Sequence, residues 1–250
     1  MVERAALKLA VVGDPVAHSR SPALQRGFMR EAGIPGTYEA IRVRAGELGA
    51  AAAHLRAEGY AGANVTTPLK EEAADLCERL SPAARALGAV NTLVFRANET
   101  FGANTDGAGG LGALEAVLGD VRGKRILVLG VGPTARAVVR SLVLAGAEVA
   151  LWNRTRERAC ALAEAFGATV WDERSPNDAV YATLPPHPQL SRTVERALAE
   201  APVVLDANYG PRATLAAQCG RPVVNGEAML EASARRSFEL WTARIPESDV

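Results

Sequence analysis

The chain has 250 residues, 48% of them hydrophobic, and its 28 basic side chains balance its 28 acidic ones. This length allows one large domain or two modest ones, with enough apolar residues for a core. The neutral balance, without a basic stripe, gives no sign of nucleic-acid binding, and the longest apolar runs have only strand length, so we expect no membrane partner. The three widely spaced cysteines form no metal-binding pattern, so we expect no metal site and predict reduced thiols in a cytoplasmic protein.

Strands and helices alternate in the first hundred residues. Ser21 followed by Pro22 has the pattern of a helix N-cap and first helical residue, and Gly59 ends the next helical segment. The alternation predicts a mixed but mostly parallel sheet with helices on both faces. In chain order, we predict strands over 7–12, 37–43, 61–65 and 88–94, helices over 22–32 and 47–58, a helix that opens at Lys70, a short helix over 82–87 and a turn at Asn98-Glu99.

A second α/β pattern begins after a boundary near Asp106. We predict an α/β protein of two domains: residues 1–106 and 227–250 form a substrate-binding and catalytic domain, and residues 107–226 form a Rossmann-type nucleotide-binding domain. The final helix is too long for the space left in the second domain, and we expect it to return to the first. The predicted helices span 107–118, 134–145, 156–166, 190–199 and 227–243, and the predicted strands span 124–129, 148–152, 169–171, 179–183, 203–207 and 222–224.

A strand followed by Gly130-Val131-Gly132 and a helix is the arrangement of a dinucleotide-binding turn. The glycines permit the turn and let backbone N–H groups approach a pyrophosphate at the helix N-terminus. Pro133 and Thr134 follow in the first helical turn, where Pro133 removes one N–H donor. On spacing alone, an ordinary strand-to-helix turn remains an alternative.

The end of the next strand indicates which dinucleotide is bound. NAD-binding chains place an Asp or Glu on the ribose hydroxyls about 20 residues after the first glycine. This chain has Asn153, Arg154 and Thr155 there, with Arg158 one turn later. A carboxylate would repel a 2′-phosphate, whereas an arginine and a hydroxyl suit it, so we predict NADP. The alternative is an exposed arginine in an arginine-rich protein.

Lys70 stands out because the chain has only two other lysines, Lys8 and Lys124. It follows the third predicted strand, and open α/β sheets bind ligands at the carboxyl ends of their strands. Lysine can shift its pKa and exchange a proton, which arginine effectively cannot. A solvated lysine in a first helical turn is the alternative for Lys70 taken alone.

Other polar residues cluster at the ends of the predicted strands. They are neutral hydrogen-bonding groups around one lysine and one aspartate, which suits a small polyhydroxylated substrate with an anionic group. A Lys–Asp pair can move a proton on and off a hydroxyl while a nicotinamide takes the hydride. Each Ser, Thr or Asn alone also fits turn chemistry. The set comprises Ser19, Ser21, Asn64, Thr66, Lys70, Asn91, Asn104 and Asp106.

Six stretches form a specific combination: Gly13–Pro22, Asn64–Lys70, Gly88–Thr92, Asn104–Gly107, Asn153–Thr155 and the tail Met229-Leu230 with Phe238 and Trp241. In this combination the sequence resembles the shikimate dehydrogenase family over nearly the whole chain. The resemblance implies NADPH-dependent reduction of 3-dehydroshikimate to shikimate, with a small molecule as the partner. We expect a monomer or a homodimer.

The resemblance also implies roles for individual residues. Lys70 and Asp106 would form the catalytic pair, and Tyr209 would lie near the substrate carboxylate. The residues implied to hold the substrate are Ser19, Ser21, Asn64, Thr66, Asn91 and Asp106.

Three motifs depart from the family's pattern. The phosphate loop, usually Gly-Ala-Gly-Gly-Ala, reads Gly-Val-Gly-Pro-Thr over residues 130–134, and the Asn of an Asn-Ala-Thr motif is Tyr181. In the tail helix, a glutamine whose amide contacts the substrate is replaced by Ser233. Two alternatives therefore stay open: a related dehydrogenase acting on quinate or an aminoshikimate, with Ser233 adapted to a different substituent, and a nucleotide-binding relative without turnover.

Overall fold

The computed structural model describes residues 6–97 and 99–242, and the chain divides into two compact units. The first unit comprises Met1–Thr105 with Ser233–Val250, and the second comprises Asp106–Ala232. The second unit begins one residue before the expected start at Gly107. It also keeps residues 227–232 of the last helix, which the sequence had placed in the first domain.

A six-stranded sheet with helices packed on it forms the first unit. Its elements are β1 (Leu7–Gly13), α1 (Ser21–Glu31), β2 (Gly36–Arg42), α2 (Leu48–Ala57), β3 (Gly62–Val65), α3 (Lys70–Leu76), β4 (Arg79–Leu80), α4 (Pro82–Leu87), β5 (Thr92–Phe95) and β6 (Thr100–Ala103). The strand order is β2-β1-β3-β5-β6-β4, with β5 antiparallel to both neighbours and every other pair parallel. This confirms the mixed, mostly parallel sheet.

Helices cover both faces of this sheet, so β1 is buried on both sides. Ala10 and Val12 face a cluster that includes Leu48 of α2 and Ala73 of α3, whereas Leu9 and Val11 face the opposite cluster. The helix residues of that opposite cluster are Leu24, Phe28 and Met29 from α1 and Ala234, Phe238 and Trp241 from the tail. The last part of the chain therefore packs on the first sheet.

Local details in the first unit differ from the sequence prediction. Ser21 is the first residue of α1, not its N-cap; Arg20 occupies the cap position in a helical conformation. The Ser21 N–H is instead bound by the Ser19 hydroxyl at 3.2 Å. The strand predicted over 88–94 starts only at Thr92, and the short strands β4 and β6 were not predicted. The predicted turn at Asn98 lies outside the described residues.

The second unit is a five-stranded, wholly parallel sheet with helices on both faces. Its elements are α5 (Asp106–Leu118), β7 (Arg125–Leu129), α6 (Pro133–Leu144), β8 (Glu148–Trp152), α7 (Arg156–Phe166), β9 (Thr169–Val170), β10 (Ala179–Ala182), α8 (Arg192–Glu200), β11 (Val203–Asp206), α9 (Leu215–Cys219) and the start of α10 (Glu227–Thr242). The strand order is β11-β10-β7-β8-β9. This is the order of a dinucleotide-binding sheet, with β7 at its centre.

The strand predicted over 222–224 is reduced to a single bridge between Leu205 and Val224. The last residue of the predicted tail helix, Ala243, lies outside the described residues. Within residues 6–97 and 99–242, no helix has the length and apolar character needed to cross a membrane.

Candidate active site

The start of α3 carries Lys70. In the loop after β3, the Leu69 N–H donates to the Thr66 carbonyl at 3.0 Å, and Leu69 is fully buried. The Lys70 carbonyl accepts a hydrogen bond from the N–H of Val90 at 2.8 Å. The backbone of Lys70 is therefore tied to the segment that leads directly into Asn91.

Asn64, in β3, is held by four polar groups. Its Oδ1 accepts the Tyr38 hydroxyl at 2.6 Å. Its Nδ2 lies 3.1 Å from the Asn91 carbonyl, 3.2 Å from the Thr92 hydroxyl and 3.0 Å from the Ser237 hydroxyl. The antiparallel register that places Thr92 opposite Asn64 brings β5 into this contact.

Asn91 continues the same cluster. Its Oδ1 accepts the Thr105 N–H and the Thr92 hydroxyl, both at 2.9 Å, and its Nδ2 donates to the Thr105 hydroxyl at 3.1 Å. The Thr105 hydroxyl lies 2.8 Å from the Ser233 hydroxyl and 3.2 Å from that of Ser237. We call the whole set the amide–hydroxyl network: Tyr38, Asn64, Asn91, Thr92, Thr105, Ser233 and Ser237.

Asn64 is half-buried, whereas the other members of the amide–hydroxyl network are buried. Burial raises the pKa of Tyr38 well above its ordinary value, so its hydroxyl keeps its hydrogen and can donate it. A buried and internally bonded cluster of this kind holds its members in single orientations. The network therefore presents a preorganised neutral polar surface at Asn64.

Ser19 lies in the loop after β1 and Ser21 begins α1, and the Ser19 hydroxyl accepts the hydrogen bond of the Ser21 N–H. The Asp14 N–H donates to the Thr67 carbonyl at 3.0 Å, so this loop is tied to the loop after β3 that carries Thr66. Parallel pairing of β1 with β3 places both loops at one end of the sheet. The first unit thus gathers these predicted residues at one sheet edge.

The tail position expected to carry a glutamine is buried in this chain. Ser233 is 8% exposed, and its hydroxyl contacts Thr105. Ser237, one helical turn later, is fully buried and also donates to the Ser233 carbonyl at 3.1 Å. Neither Ser237 nor Tyr38 was among the predicted site residues. The spacing of four residues places Ser237 on the helix face of Ser233, but no local pattern indicated Tyr38.

The glycine turn after β7 has a backbone conformation that glycine favours and leaves open space at the start of α6. Gly130 has a φ of +98°, and a β-carbon there would lie 2.7 Å from the Thr183 hydroxyl oxygen, so a side chain would be excluded. Gly132 is the extended N-cap residue of α6, and nothing lies within 4 Å of the position of a β-carbon. Pro133 opens the helix and Thr134 follows it. The open space at Gly132 and the helix N-terminus fit an anionic group.

The end of β8 carries the groups predicted to recognise a 2′-phosphate. Asn153 donates to the Thr155 carbonyl at 2.9 Å, which closes the turn into α7. Arg154, Thr155 and Arg158 are exposed, and Thr155 is the N-cap of α7 without a side-chain capping bond. Two cations and a hydroxyl at a helix N-terminus fit a phosphate. A cavity of about 310 Å³ adjoins Arg154 and is also lined by Trp152, Trp171 and Ser191, among others.

Tyr181, which replaces the expected asparagine, points into the core of the second unit. It is fully buried, and its hydroxyl donates to the Met229 sulfur at 3.2 Å. Burial and, to a lesser extent, the charges of Asp106 and Asp206 raise the pKa of Tyr181. The side chain fills the core, which explains why a tyrosine is accommodated beside the glycines of α5.

Asp106 is the first residue of α5, and Tyr209 lies in the loop after β11, so both belong to the second unit. Asp206 accepts hydrogen bonds from the backbone and side-chain nitrogens of Asn208 at 3.0 and 2.8 Å. Asp206 therefore fixes the start of the loop that carries Tyr209. The predicted catalytic pair is divided, with Lys70 in the first unit and Asp106 in the second.

Comparisons with known proteins agree with this geometry. Two family models match: the shikimate dehydrogenase substrate binding domain over residues 11–93 and shikimate / quinate 5-dehydrogenase over residues 113–178. The NADP(+)-dependent shikimate dehydrogenase of Acidiphilium cryptum is 41% identical over 253 residues, covering 96% of this chain and 91% of that protein.

Two solved structures are also similar over most of their length. Shikimate 5-dehydrogenase from Thermus thermophilus, in complex with NADP(H) and shikimate, is 36% identical with a TM-score of 0.84, covering 97% of this chain and 96% of that one. A 5-ketofructose reductase from Gluconobacter is 26% identical with a TM-score of 0.82, covering 98% of this chain and 95% of that one.

Proposed function

Because the chain belongs to the shikimate dehydrogenase family, we propose that it is an NADP-dependent dehydrogenase that interconverts 3-dehydroshikimate and shikimate. The observation that carries this proposal is the amide–hydroxyl network, which the hydrogen bond from Val90 to Lys70 ties to the start of α3. Neutral hydrogen-bonding groups beside a single lysine suit a substrate with several hydroxyls and one reacting oxygen.

Lys70 is the proposed acid and base. In the reductive direction, its ammonium group donates a proton to the substrate oxygen as the carbonyl becomes a hydroxyl, and in the oxidative direction the neutral amine takes that proton back. Asp106 stabilises the ammonium form and orients it, and the N-terminus of α5 favours its negative charge. NADPH, when bound, supplies the hydride.

The proposed substrate contacts are assigned residue by residue from the family resemblance. Tyr209 of the second unit is assigned to the neighbourhood of the carboxylate. A carboxylate accepts hydrogen bonds only, and the hydroxyls of Ser19 and Ser21 can donate them. The residues proposed to hold the substrate are Ser19, Ser21, Asn64, Thr66, Asn91 and Asp106.

For the cofactor, we assign the pyrophosphate to Gly130, Gly132 and the first turn of α6 at Pro133 and Thr134. Pro133 leaves that turn with one donor fewer than a non-proline residue would. The 2′-phosphate is assigned to a second set of groups, which are Asn153, Arg154, Thr155 and Arg158. The open β-carbon position at Gly132 and the exposed arginines support this assignment.

A related dehydrogenase acting on quinate or an aminoshikimate is the second candidate. Ser233 favours it, because a serine whose hydroxyl contacts Thr105 cannot offer the long amide expected at that position. The 5-ketofructose reductase similarity shows that this fold also occurs in a protein named for another substrate.

A substrate panel separates these candidates. Shikimate, quinate and an aminoshikimate are each incubated with NADP and with NAD, and the absorbance of the reduced nicotinamide is followed. The proposal expects the highest kcat/KM for shikimate with NADP. A higher value for quinate or an aminoshikimate would transfer the assignment to that substrate, and no turnover with any pair would leave a nucleotide-binding relative.

We also propose that the protein works in the cytoplasm as a monomer or homodimer. Cys77, Cys160 and Cys219 are free thiols, which suits a reducing compartment. Light scattering of the purified protein measures the oligomeric state, and a mass above that of a dimer would contradict it.

A further inference from the structure

The carboxamide of Asn64 is engaged at both of its ends within the first unit. Tyr38 donates to its oxygen at 2.6 Å, the shortest of its contacts. Its nitrogen faces three acceptors, the Asn91 carbonyl and the hydroxyls of Thr92 and Ser237, at 3.0 to 3.2 Å. Rotation of the carboxamide by 180° would place its oxygen against the Asn91 carbonyl oxygen, which can only accept, so this contact selects one orientation.

Counting donors and acceptors shows what Asn64 has left for a ligand. A carboxamide has two N–H hydrogens and two lone pairs on its oxygen. Three acceptors compete for the two hydrogens of Asn64, so its donors are used inside the protein. Tyr38 donates to one lone pair of the Asn64 oxygen, and the second lone pair can still accept a hydrogen bond from a ligand. Asn64 is half-buried, whereas the other members of the amide–hydroxyl network are buried, so Asn64 is the member most accessible to a ligand.

We propose that Tyr38 and Ser237 are positioning residues that fix the Asn64 carboxamide so that it meets the substrate only as an acceptor, for a hydroxyl group that does not react. This inference rests on the proposed function for the identity of the substrate. Of the three ring hydroxyls of shikimate, one becomes a carbonyl on oxidation and then has no hydrogen to donate. A fixed acceptor binds substrate and product equally only through a hydroxyl that both retain.

Tyr38 and Ser237 reach Asn64 from elements distant in sequence. Tyr38 comes from β2, is fully buried, and stays protonated because burial raises its pKa. Ser237 comes from the tail helix, 173 residues after Asn64, and also lies 2.8 Å from Thr92. Thr92 contacts Asn64 because it is the paired residue on the adjacent strand β5. Tyr38 and Ser237 come from elements that are not paired with β3, so their contacts with Asn64 depend on the tertiary packing of the unit.

Each positioning residue has a matched control on the same unit. Tyr60 also donates its hydroxyl to a side-chain oxygen, that of Glu39 at 3.1 Å, but at an exposed site. Thr242 also donates to the carbonyl four residues earlier in the tail helix, at 2.7 Å, as Ser237 does at 3.1 Å. Tyr60→Phe and Thr242→Ala therefore remove comparable groups outside the amide–hydroxyl network.

The first measurement is steady-state kinetics of Tyr38→Phe and Ser237→Ala with shikimate and NADP. We expect each to raise the KM for shikimate about tenfold, the effect of one misplaced hydrogen bond, with kcat and the KM for NADP within about threefold of wild type. The two control variants should keep all three constants. Variants that lose thermal stability while keeping the wild-type KM for shikimate would overturn the proposal.

The second measurement uses shikimate analogues that each lack one non-reacting hydroxyl. In the wild type, one of them should bind at least about tenfold more weakly than shikimate, because a buried acceptor loses its donor. In Tyr38→Phe, the same deletion should cost much less, as a coupled pair requires. An equal penalty in the wild type and the variant would overturn the proposal.

The third measurement does not depend on the substrate. Solvent exchange of the Asn64 side-chain NH2 is followed by NMR, with the signal assigned by its loss in Asn64→Asp. We expect exchange slower by about tenfold or more than at the exposed Asn225, and faster exchange in Ser237→Ala. Rapid exchange in the wild type would overturn the fixed carboxamide. A wild type that exchanges slowly but does not oxidise shikimate would overturn the proposed function and leave the fixed carboxamide supported.

Discussion

In the first unit, the side-chain amides of Asn64 and Asn91, which are candidates for substrate binding, are bonded to buried hydroxyls. In the second unit, the candidate phosphate-binding arginines, Arg154 and Arg158, are exposed around the start of α7. The two settings have different physical consequences. A buried neutral amide needs internal partners, and those partners fix its orientation. An exposed arginine needs none to remain solvated.

From this difference we expect a substitution in the amide–hydroxyl network to disturb more than one hydrogen bond. A substitution of an exposed arginine in the second unit should remove only its contact with the cofactor. In the first unit, the Thr92 hydroxyl contacts the side-chain amides of both Asn64 and Asn91. The Thr105 hydroxyl, which contacts Asn91, also lies 3.2 Å from the hydroxyl of Ser237, which contacts Asn64. In the second unit, the residues proposed to bind phosphates lie on two separate backbone turns. The glycine turn contains Gly130, with its positive φ, and the other turn is closed by the hydrogen bond from Asn153 to the Thr155 carbonyl. The following substitutions test this contrast.

The largest effect is expected at Lys70. Arginine keeps the positive charge but cannot give up its proton, so Lys70→Arg and Lys70→Ala should both lose about 10²–10⁴ in kcat. Shikimate binding by the Arg variant, measured by titration without turnover, should suffer much less. Lys8→Ala is the control, because Lys8 is a first-unit lysine that donates to the Glu58 carbonyl at an exposed site. An Arg variant with near wild-type binding and turnover would end the proton-transfer assignment.

Arg154→Ala tests the exposed edge of the second unit. Loss of a charge-assisted contact with a 2′-phosphate should raise the KM for NADP about tenfold to hundredfold and leave that for NAD nearly unchanged, with the melting temperature retained. Arg122→Ala is the control, since Arg122 is an exposed arginine of the same unit that pairs with Asp120. Equal effects of Arg154→Ala on both cofactors would show that this arginine does not recognise the phosphate.

Two glycines of α5 test the packing of the second unit. A β-carbon at Gly110 would lie 2.5 Å from a Val138 methyl and 3.2 Å from the Tyr181 hydroxyl, so Gly110→Ala should reduce the free energy of unfolding by about 1–3 kcal/mol. At Gly112 the nearest atom is the Ala232 β-carbon at 3.7 Å, and Gly112→Ala should stabilise by roughly 0.5–1 kcal/mol. Chemical denaturation measures both, and two stabilised variants would contradict the close packing at Gly110.

The smallest expected effect is on the pH dependence of the free energy of unfolding, which we compare for the buried Asp206 and the exposed Asp172. Burial raises the pKa of Asp206, so the wild-type protein loses stability as pH rises through and above its ordinary value of about 4. The free energy of unfolding of Asp206→Asn, relative to wild type, should therefore increase from acid to neutral pH. Comparing this change between pH values cancels any constant effect of a lost hydrogen bond.

Asp172 provides the opposite sign in the same unit. Bonds from Ser175 and the Arg174 N–H lower the pKa of Asp172, so its contribution to stability is present above its ordinary pKa and is lost as pH falls. Asp172→Asn should lose stability relative to wild type as pH rises. Two difference curves with the same slope would contradict the contrast.

Much of the fold was predictable because it depends on local signals. The apolar runs, together with the glycine and proline positions, predicted β8 and α7 with their observed bounds. The spacing of the glycines predicted the turn at Gly130. The strand predicted over 222–224 was wrong, because a single bridge to Leu205 is a tertiary contact that a short apolar run does not specify.

The sequence by itself determined the family, the order of the two α/β patterns and the residue types at the candidate site, because these follow from local spacing and residue chemistry. Only the tertiary structure decided that Tyr38 and Ser237 fix Asn64, that Ser233 contacts Thr105, and that Tyr181 fills a core. Each of these contacts joins residues far apart in the chain. Hydrogen-bond partners at such distances are chosen by strand register and helix packing, which no local pattern encodes.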